Sequence, residues 1–128
     1  MKYLGVDYGE KFIGLALADT ESNVSMPLEI IRNHTESESI DKLIKLISEY
    51  KIDKVIVGKP HWHDNSQIKV IERFVDKLIP QIEVDIDFVD ESLTTKMVDN
   101  LPGVQPNNSR VDDLSAMIIL QAYLDSKE

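Results

Sequence analysis

The sequence predicts an α/β fold: a mixed β-sheet of three antiparallel strands followed by parallel βα units, with helices on both faces. Three observations carry this. The first third of the chain alternates short apolar runs with turn residues. From Ile40 onward the apolar period changes to that of a helix. Short buried strands then alternate with amphipathic helices, which is the pattern of crossover units that add parallel strands.

Taken in order, Tyr3 to Val6 is a short apolar run and Ile13 to Ala18 a second, rich in small and branched residues. Between them Asp7-Tyr8-Gly9-Glu10-Lys11 is polar and contains a glycine, so a hairpin fits. Val24 to Ile31 suits a third strand, and its Pro27 points to an edge position or a bulge. Ile40, Leu43, Ile44 and Ile47 recur at helical spacing, with Asp41, Lys42, Lys45 and Glu49 on the other face. Lys54 to Gly58 is a buried strand. Ile71, Phe74, Val75 and Leu78 mark a second helix, which Pro80 ends. Val84, Ile86 and Phe88 alternate with Asp85 and Asp87, giving a strand with one wetter face. Two prolines, a glycine and two asparagines make Leu101 to Ser109 a loop. Val111 to Leu124 is a last helix, and its centre, Ala116 to Leu120, is apolar nearly all round, as in a buried helix.

With 128 residues, one domain over 1–128 is expected, large enough for a core of its own. No cysteine is present, which excludes disulfides, thiolate catalysis and zinc–thiolate sites. The first residues meet an acid too early for a signal peptide. No apolar run approaches the roughly 20 residues of a membrane span, so a cytoplasmic protein without a membrane partner is expected. The net charge of −9 argues against broad non-specific attraction to nucleic acid or anionic lipid. It is compatible with a carboxylate cluster that holds divalent metal.

Such acids stand at the mouths of the predicted sheet. Asp7 ends the first strand, Asp90 and Glu91 end the last, and Asp112 and Asp113 open the final helix. If the first and last strands of the parallel side are neighbours, Asp7 and Glu91 converge, and the helix brings Asp112 to them. Hard cations such as Mg²⁺ or Mn²⁺ take oxygen ligands of this kind. Two such ions can activate water and stabilise a leaving oxygen in phosphodiester cleavage. The same residues also have plainer roles. Asp is a common turn residue, and Asp112 and Asp113 suit the positive end of a helix dipole.

Four segments together resemble one family. Leu4-Gly5-Val6-Asp7-Tyr8-Gly9, with Lys11, Ile13-Gly14-Leu15-Ala16 and Asp19, is similar to the opening signature of the YqgF/RuvX-type family. Val57-Gly58 with Pro60 resembles its second motif, and Val89-Asp90-Glu91 with Leu93-Thr94-Thr95 its third. Val111-Asp112, followed by Ser115-Ala116, Ile118-Ile119-Leu120 and Leu124, resembles its last. The matches run in order over nearly the whole chain. The resemblance implies a ribonuclease-H-like fold and a metal-dependent nuclease, with precursor 16S rRNA as the expected substrate and four-way junction DNA as the alternative. By position it implies that Asp7, Glu91 and Asp112 are both the catalytic and the metal-binding acids, with Mg²⁺ or Mn²⁺ as cofactor and two ions in the site. Asp113 ranks behind Asp112. Lys11, Lys59, Thr94, Lys96 and Arg110 are candidate contacts to nucleic acid; each cation is equally compatible with a solvated surface role. A monomer or weak homodimer is expected, whereas a junction resolvase needs two symmetry-related sites.

The chain departs from the family pattern at Phe12 and Ser92, where arginine is usual, at Lys59, where leucine is usual, and at Asn65-Ser66, which replace a glycine-containing turn. Loss of two cations bears on substrate affinity more than on metal binding. It leaves a second class open, a catalytically weak RNA-binding module, although a carboxylate cluster gives such a module nothing. His61-Trp62-His63-Asp64 contains two histidines and an acid but lacks the ligands of a structural metal site. Trp62 is either a stacking platform for a base or a cap on the core beside Pro60. Gly5, Gly9 and Gly14 lie on a hairpin, not between a strand and a helix, so they make no dinucleotide fingerprint. Ser92, Thr94 and Thr95 lack a nearby histidine base and suit the start of a short helix.

Overall fold

The apolar runs at the start of the chain pair as an antiparallel meander. β1 (Lys2–Asp7) pairs β2 (Phe12–Asp19) from Lys2 opposite Asp19 to Asp7 opposite Gly14, and β2 pairs β3 (Val24–Arg32). The computed structural model describes residues 1–59, 65–90 and 111–126, with the backbone alone at Asn65 and 111–113. After β3 come α1 (Glu36–Glu49), β4 (Lys54–Lys59), α2 (Asn65–Leu78), a 3₁₀ turn at Ile79–Gln81, β5 (Asp85–Asp90) and α3 (Val111–Ser126). The five strands form one sheet in the order β3-β2-β1-β4-β5. β4 runs parallel to both β1 and β5. The predicted mixed sheet is therefore present, with antiparallel pairing in its first half and parallel pairing in its second.

β3 is an edge strand, and its ladder with β2 skips one residue, because Leu15 pairs Glu29 while Ala16 pairs Pro27. Both readings of Pro27 hold: the ring has no N–H to give, and an edge with a bulge asks for none there. Asn23, in the turn before β3, has φ 59°, a left-handed conformation that asparagine tolerates.

Helix α1 starts where Thr35 accepts a hydrogen bond from the Glu38 N–H at 3.2 Å, with Glu36 and Glu38 in the first turn to favour the dipole. α2 passes into the 3₁₀ turn that contains Pro80, as the proline predicts.

Alternation along the strands sorts side chains between two cores. Leu4, Val6, Ile13, Leu15, Val55 and Val57 pack with Leu43 of α1 and Phe74 of α2 on one face. Ala16, Ala18 and Ile56 pack with Ala116, Ile119 and Leu120 of α3 on the other. β5, at the second edge, follows the predicted alternation only in part. Ile86 packs on the first core, but Phe88 of the same parity is 36 % exposed. The segments 91–110, with the predicted loop at Leu101 to Ser109 and the helix start at Ser92 to Thr95, and His61, Trp62 and His63 lie outside the described residues.

Candidate active site

Asp7 is the last residue of β1 and is half-buried. Its parity is that of Tyr3 and Gly5, so it belongs to the α3 face of the sheet. On β2 the same face carries Phe12 and Gly14, alternating with the core residues Ile13 and Leu15. An open groove of about 390 Å³ lies here, lined by Asp7, Gly9, Lys11, Phe12 and Gly14.

The turn that closes this groove is tight. A Cβ on Gly9 would stand 2.5 Å from the Phe12 carbonyl oxygen, so glycine is required there. Asn33, the residue after β3, clasps the turn. Its Nδ2 donates to the Gly9 carbonyl at 3.0 Å and its own N–H donates to the Lys11 carbonyl at 2.8 Å. Asn33 is fixed in turn by the buried Ser39 hydroxyl of α1, which donates to its Oδ1 at 2.7 Å. The Tyr8 hydroxyl accepts from Asn33 Nδ2 at 3.3 Å and lies 3.5 Å from Glu36 Oε2. Burial raises the Tyr8 pKa above its ordinary value, and nearby Glu36 adds to this while the Asn33 bond opposes it. Glu36 Oε1 takes the Lys77 ammonium at 2.6 Å, at ion-pair distance rather than along a hydrogen-bond direction. None of this clasp is visible as local spacing, since its members come from strands and helices far apart in sequence.

Across the sheet, β1 and β5 are not neighbours. β4 stands between them, which corrects the condition under which Asp7 and Glu91 were expected to meet. The register continues from Val6 opposite Val57 to put Gly58 beside Asp7, and Gly58 pairs Val89. Asp7, Gly58 and Val89 thus form a row across the strand ends on the α3 face. Two strand spacings separate β1 from β5, about 10 Å. Gly58 has no side chain, so nothing from β4 rises between its neighbours. Val89 packs on the α3 core, whereas Asp90 has the opposite parity. Glu91, Thr94, Lys96 and Arg110 lie outside the described residues.

Helix α3 is seated so that its start approaches the same end. Tyr123, near its C-terminus, stacks edge-on against Tyr3 at the beginning of β1, with ring centroids 5.8 Å apart. A Cβ on Gly5 would meet Leu120 Cβ at 2.9 Å and the Ala116 carbonyl at 3.0 Å. Asp7 lies about 7 Å further along β1, and Asp112 one helical turn, about 6 Å, before Ala116. The first turn of α3, with Asp112 and Asp113, is therefore at the Asp7 end of the sheet. Gln121 and Ser25 pin the helix sideways. Ser25 Oγ donates to the Met117 carbonyl at 2.7 Å, and Gln121 Oε1 accepts from the Ser25 N–H at 3.0 Å.

Lys59 is placed differently from Lys11. It shares the parity of Val55 and Val57, which face α1 and α2. Its ammonium lies 3.4 Å from Glu72 of α2 and 4.0 Å from the centroid of the Phe88 ring. Lys11 lines the groove with Asp7; Lys59 is on the other side of the sheet. Among the described residues, no three His, Asp or Glu side chains stand close enough to hold a metal ion. Asp7 is the one acid of the predicted triad whose side chain is described.

A family model described as RuvX, Holliday junction resolvase, matches residues 1–126. The chain belongs to the RuvX family. Curated relatives bear the name "Putative pre-16S rRNA nuclease". One, from Roseiflexus sp. strain RS-1, is 34% identical over 134 residues, covering 98% of this chain and 95% of the relative. Another, from Streptococcus agalactiae, is 33% identical over 136 residues, covering 98% of each. Among solved structures, Thermus thermophilus RuvC in complex with Holliday junction substrate has a TM-score of 0.67 at 12% identity, covering 99% of this chain and 95% of that one. The fowlpox virus Holliday junction resolvase has a TM-score of 0.59 at 17% identity, covering 98% and 99%. These likenesses establish the ribonuclease-H-like fold that the sequence motifs implied. In this RuvX-family chain the order β3-β2-β1-β4-β5 is the frame that sets every strand end described above. No helix among the described residues is long and apolar enough to cross a membrane.

Proposed function

We propose that residues 1–128 form one nuclease domain that hydrolyses nucleic-acid phosphodiesters with Mg²⁺ or Mn²⁺, and that its substrate is precursor 16S rRNA during ribosome maturation in the cytoplasm. The observation that carries this is the placement of Asp7. It ends β1 on the α3 face, in a groove at the end of the sheet where β5 also finishes and α3 begins. In this reading Asp7, Glu91 and Asp112 are the metal ligands and catalytic acids. The donor chemistry fits, because hard divalent cations take carboxylate oxygens. Asp7 also stands beside Gly58, whose missing side chain leaves room for an ion between strand ends. Asp90 has the parity of the opposite face of the sheet, which speaks against it as a partner of Asp7.

Bound ions of this kind supply an activated water and offset charge on the departing oxygen. The chain's own residues do the rest. Asp7 fixes the position of the site on a rigid strand, the Asn33 clasp holds the turn beside it, and Lys11 offers a cation to the phosphate at the groove. Lys59, Thr94, Lys96 and Arg110 complete the proposed contacts to nucleic acid, Lys59 from the far face of the sheet.

The family description favours one second reading, resolution of four-way DNA junctions. The deciding experiment is a cleavage panel of precursor rRNA ends, single-stranded RNA, duplex DNA and a four-way junction, each with Mg²⁺ or Mn²⁺, with wild type beside Asp7→Asn. Cleavage of precursor rRNA by wild type alone supports the proposal. Symmetric cutting of the junction by a dimer selects the second reading. Metal binding without cleavage of any substrate leaves an RNA-binding module.

A further inference from the structure

Phe12 is the first residue of β2 and is 47 % exposed. It lies on the same sheet face as Asp7, in the same groove, with Gly14 as the floor between them. An aromatic ring left open to water beside a carboxylate contributes little to the core. Its neighbours are cations. Lys11 precedes it and lines the groove, and Arg32 is its ladder partner on β3. Ladder partners project to the same side, with Cβ atoms about 5 Å apart. Both cations are exposed, and among the described residues neither forms an ion pair.

A flat apolar ring beside two exposed cations suits one ligand chemistry, a nucleotide whose base is free of a partner. The base face covers the ring, and the phosphates on either side meet Lys11 and Arg32. A duplex hides its base faces in the stack and has nothing to lay on the ring. We infer that Phe12 is a stacking platform for an unpaired nucleobase, flanked by Lys11 and Arg32, and that it makes the Asp7 groove select single-stranded over duplex nucleic acid. This rests on the nuclease reading and names the form of substrate that the site takes.

The test uses the full chain in the Asp7→Asn background, so that strands stay intact. It is titrated onto a single-stranded RNA carrying 2-aminopurine and onto the same sequence as a duplex, with a thermal melt of each variant. The expected result is quenching of the probe on binding. Phe12→Leu, folded as its melt shows, loses the quench and binds the single strand about tenfold more weakly. Phe12→Trp keeps both, and duplex binding is the same for all. Equal quenching and affinity in Phe12→Leu overturns the platform while cleavage by wild type leaves the nuclease reading standing. Loss of the quench in Phe12→Trp as well overturns stacking. Absence of nucleic-acid binding by any form overturns both readings.

Discussion

Asp7 is half-buried at a strand end, and its use depends on the residues that hold its surroundings still. Asp7→Asn keeps the shape and removes the charge. If the acid is a ligand, cleavage falls by a hundredfold or more, beyond the order of loss seen for supporting residues. The rise in melting temperature that millimolar Mn²⁺ gives wild type should also vanish, while the metal-free melt stays close to wild type. An Asp7→Asn protein that still gains stability from Mn²⁺ would place the metal elsewhere. Gly9 is the other decisive residue, because the atom 2.5 Å from its missing Cβ is backbone and cannot swing aside. Gly9→Ala should cost about 1–3 kcal/mol in urea unfolding and reduce cleavage, since the turn that carries Lys11 must shift. Neither consequence could be read from the hairpin motif, which shows that a glycine is present but not what it touches.

Helix α3 is the element whose seating matters most. Its apolar centre meets β1 at Gly5, and its C-terminal end is tied by a three-membered clasp. Lys54 Nζ donates to the Tyr123 hydroxyl at 2.8 Å, and that hydroxyl donates to Asp87 Oδ2 at 2.8 Å. Gly5→Ala pushes a methyl group against Leu120 and the Ala116 carbonyl. A loss of about 1–3 kcal/mol is expected, with a larger proportional loss of activity, because the start of the helix moves relative to Asp7. Tyr123→Phe keeps the ring against Tyr3 and removes both hydroxyl bonds, at about 1–2 kcal/mol by thermal melt at neutral pH. The clasp also predicts a pH effect. The Tyr123 bond raises the Lys54 pKa above 10.5, and burial raises that of Tyr123 above 10.0. Both groups hold their protons more tightly when folded. Their stabilisation is present below those ordinary values and is lost as pH rises through the raised ones. Melting temperature should therefore fall as pH rises above about 10, and Tyr123→Phe should lessen that fall. The helix itself was legible as a buried, apolar segment; the partners of Tyr123 were not, because Lys54 and Asp87 come from two strands that meet only in the folded sheet.

For the whole molecule, the charge distribution governs binding. With a net charge of −9, attraction to nucleic acid is expected to be local and to rest on few phosphates. The proposed pair, Lys11 at the groove and Arg32 across the ladder from Phe12, makes this measurable. Removing one phosphate contact from a single strand lowers the slope of log affinity against log salt by about 0.7. Arg32→Gln should do so, whereas Lys59→Gln should change the slope less, because Glu72 already neutralises Lys59. An equal effect from both would mean that the bound strand wraps to the α2 face.

The sequence by itself determined the elements of the described residues, the antiparallel meander, the parallel crossovers, the edge or bulge at Pro27, the placement of Asp7 at a strand end and membership of the RuvX family. These follow from local signals: the period of apolar residues, turn residues and short motifs, all within a few residues of one another. Only the tertiary structure decided that β4 stands between β1 and β5, that Lys59 faces α2 while Lys11 lines the groove, and that Phe12 stands beside Arg32. The physical reason is that sheet order and register are set by which non-local pairings bury the most apolar surface with their backbone groups satisfied. A strand's own sequence fixes the alternation of its side chains but names neither its neighbour nor the face its neighbour presents.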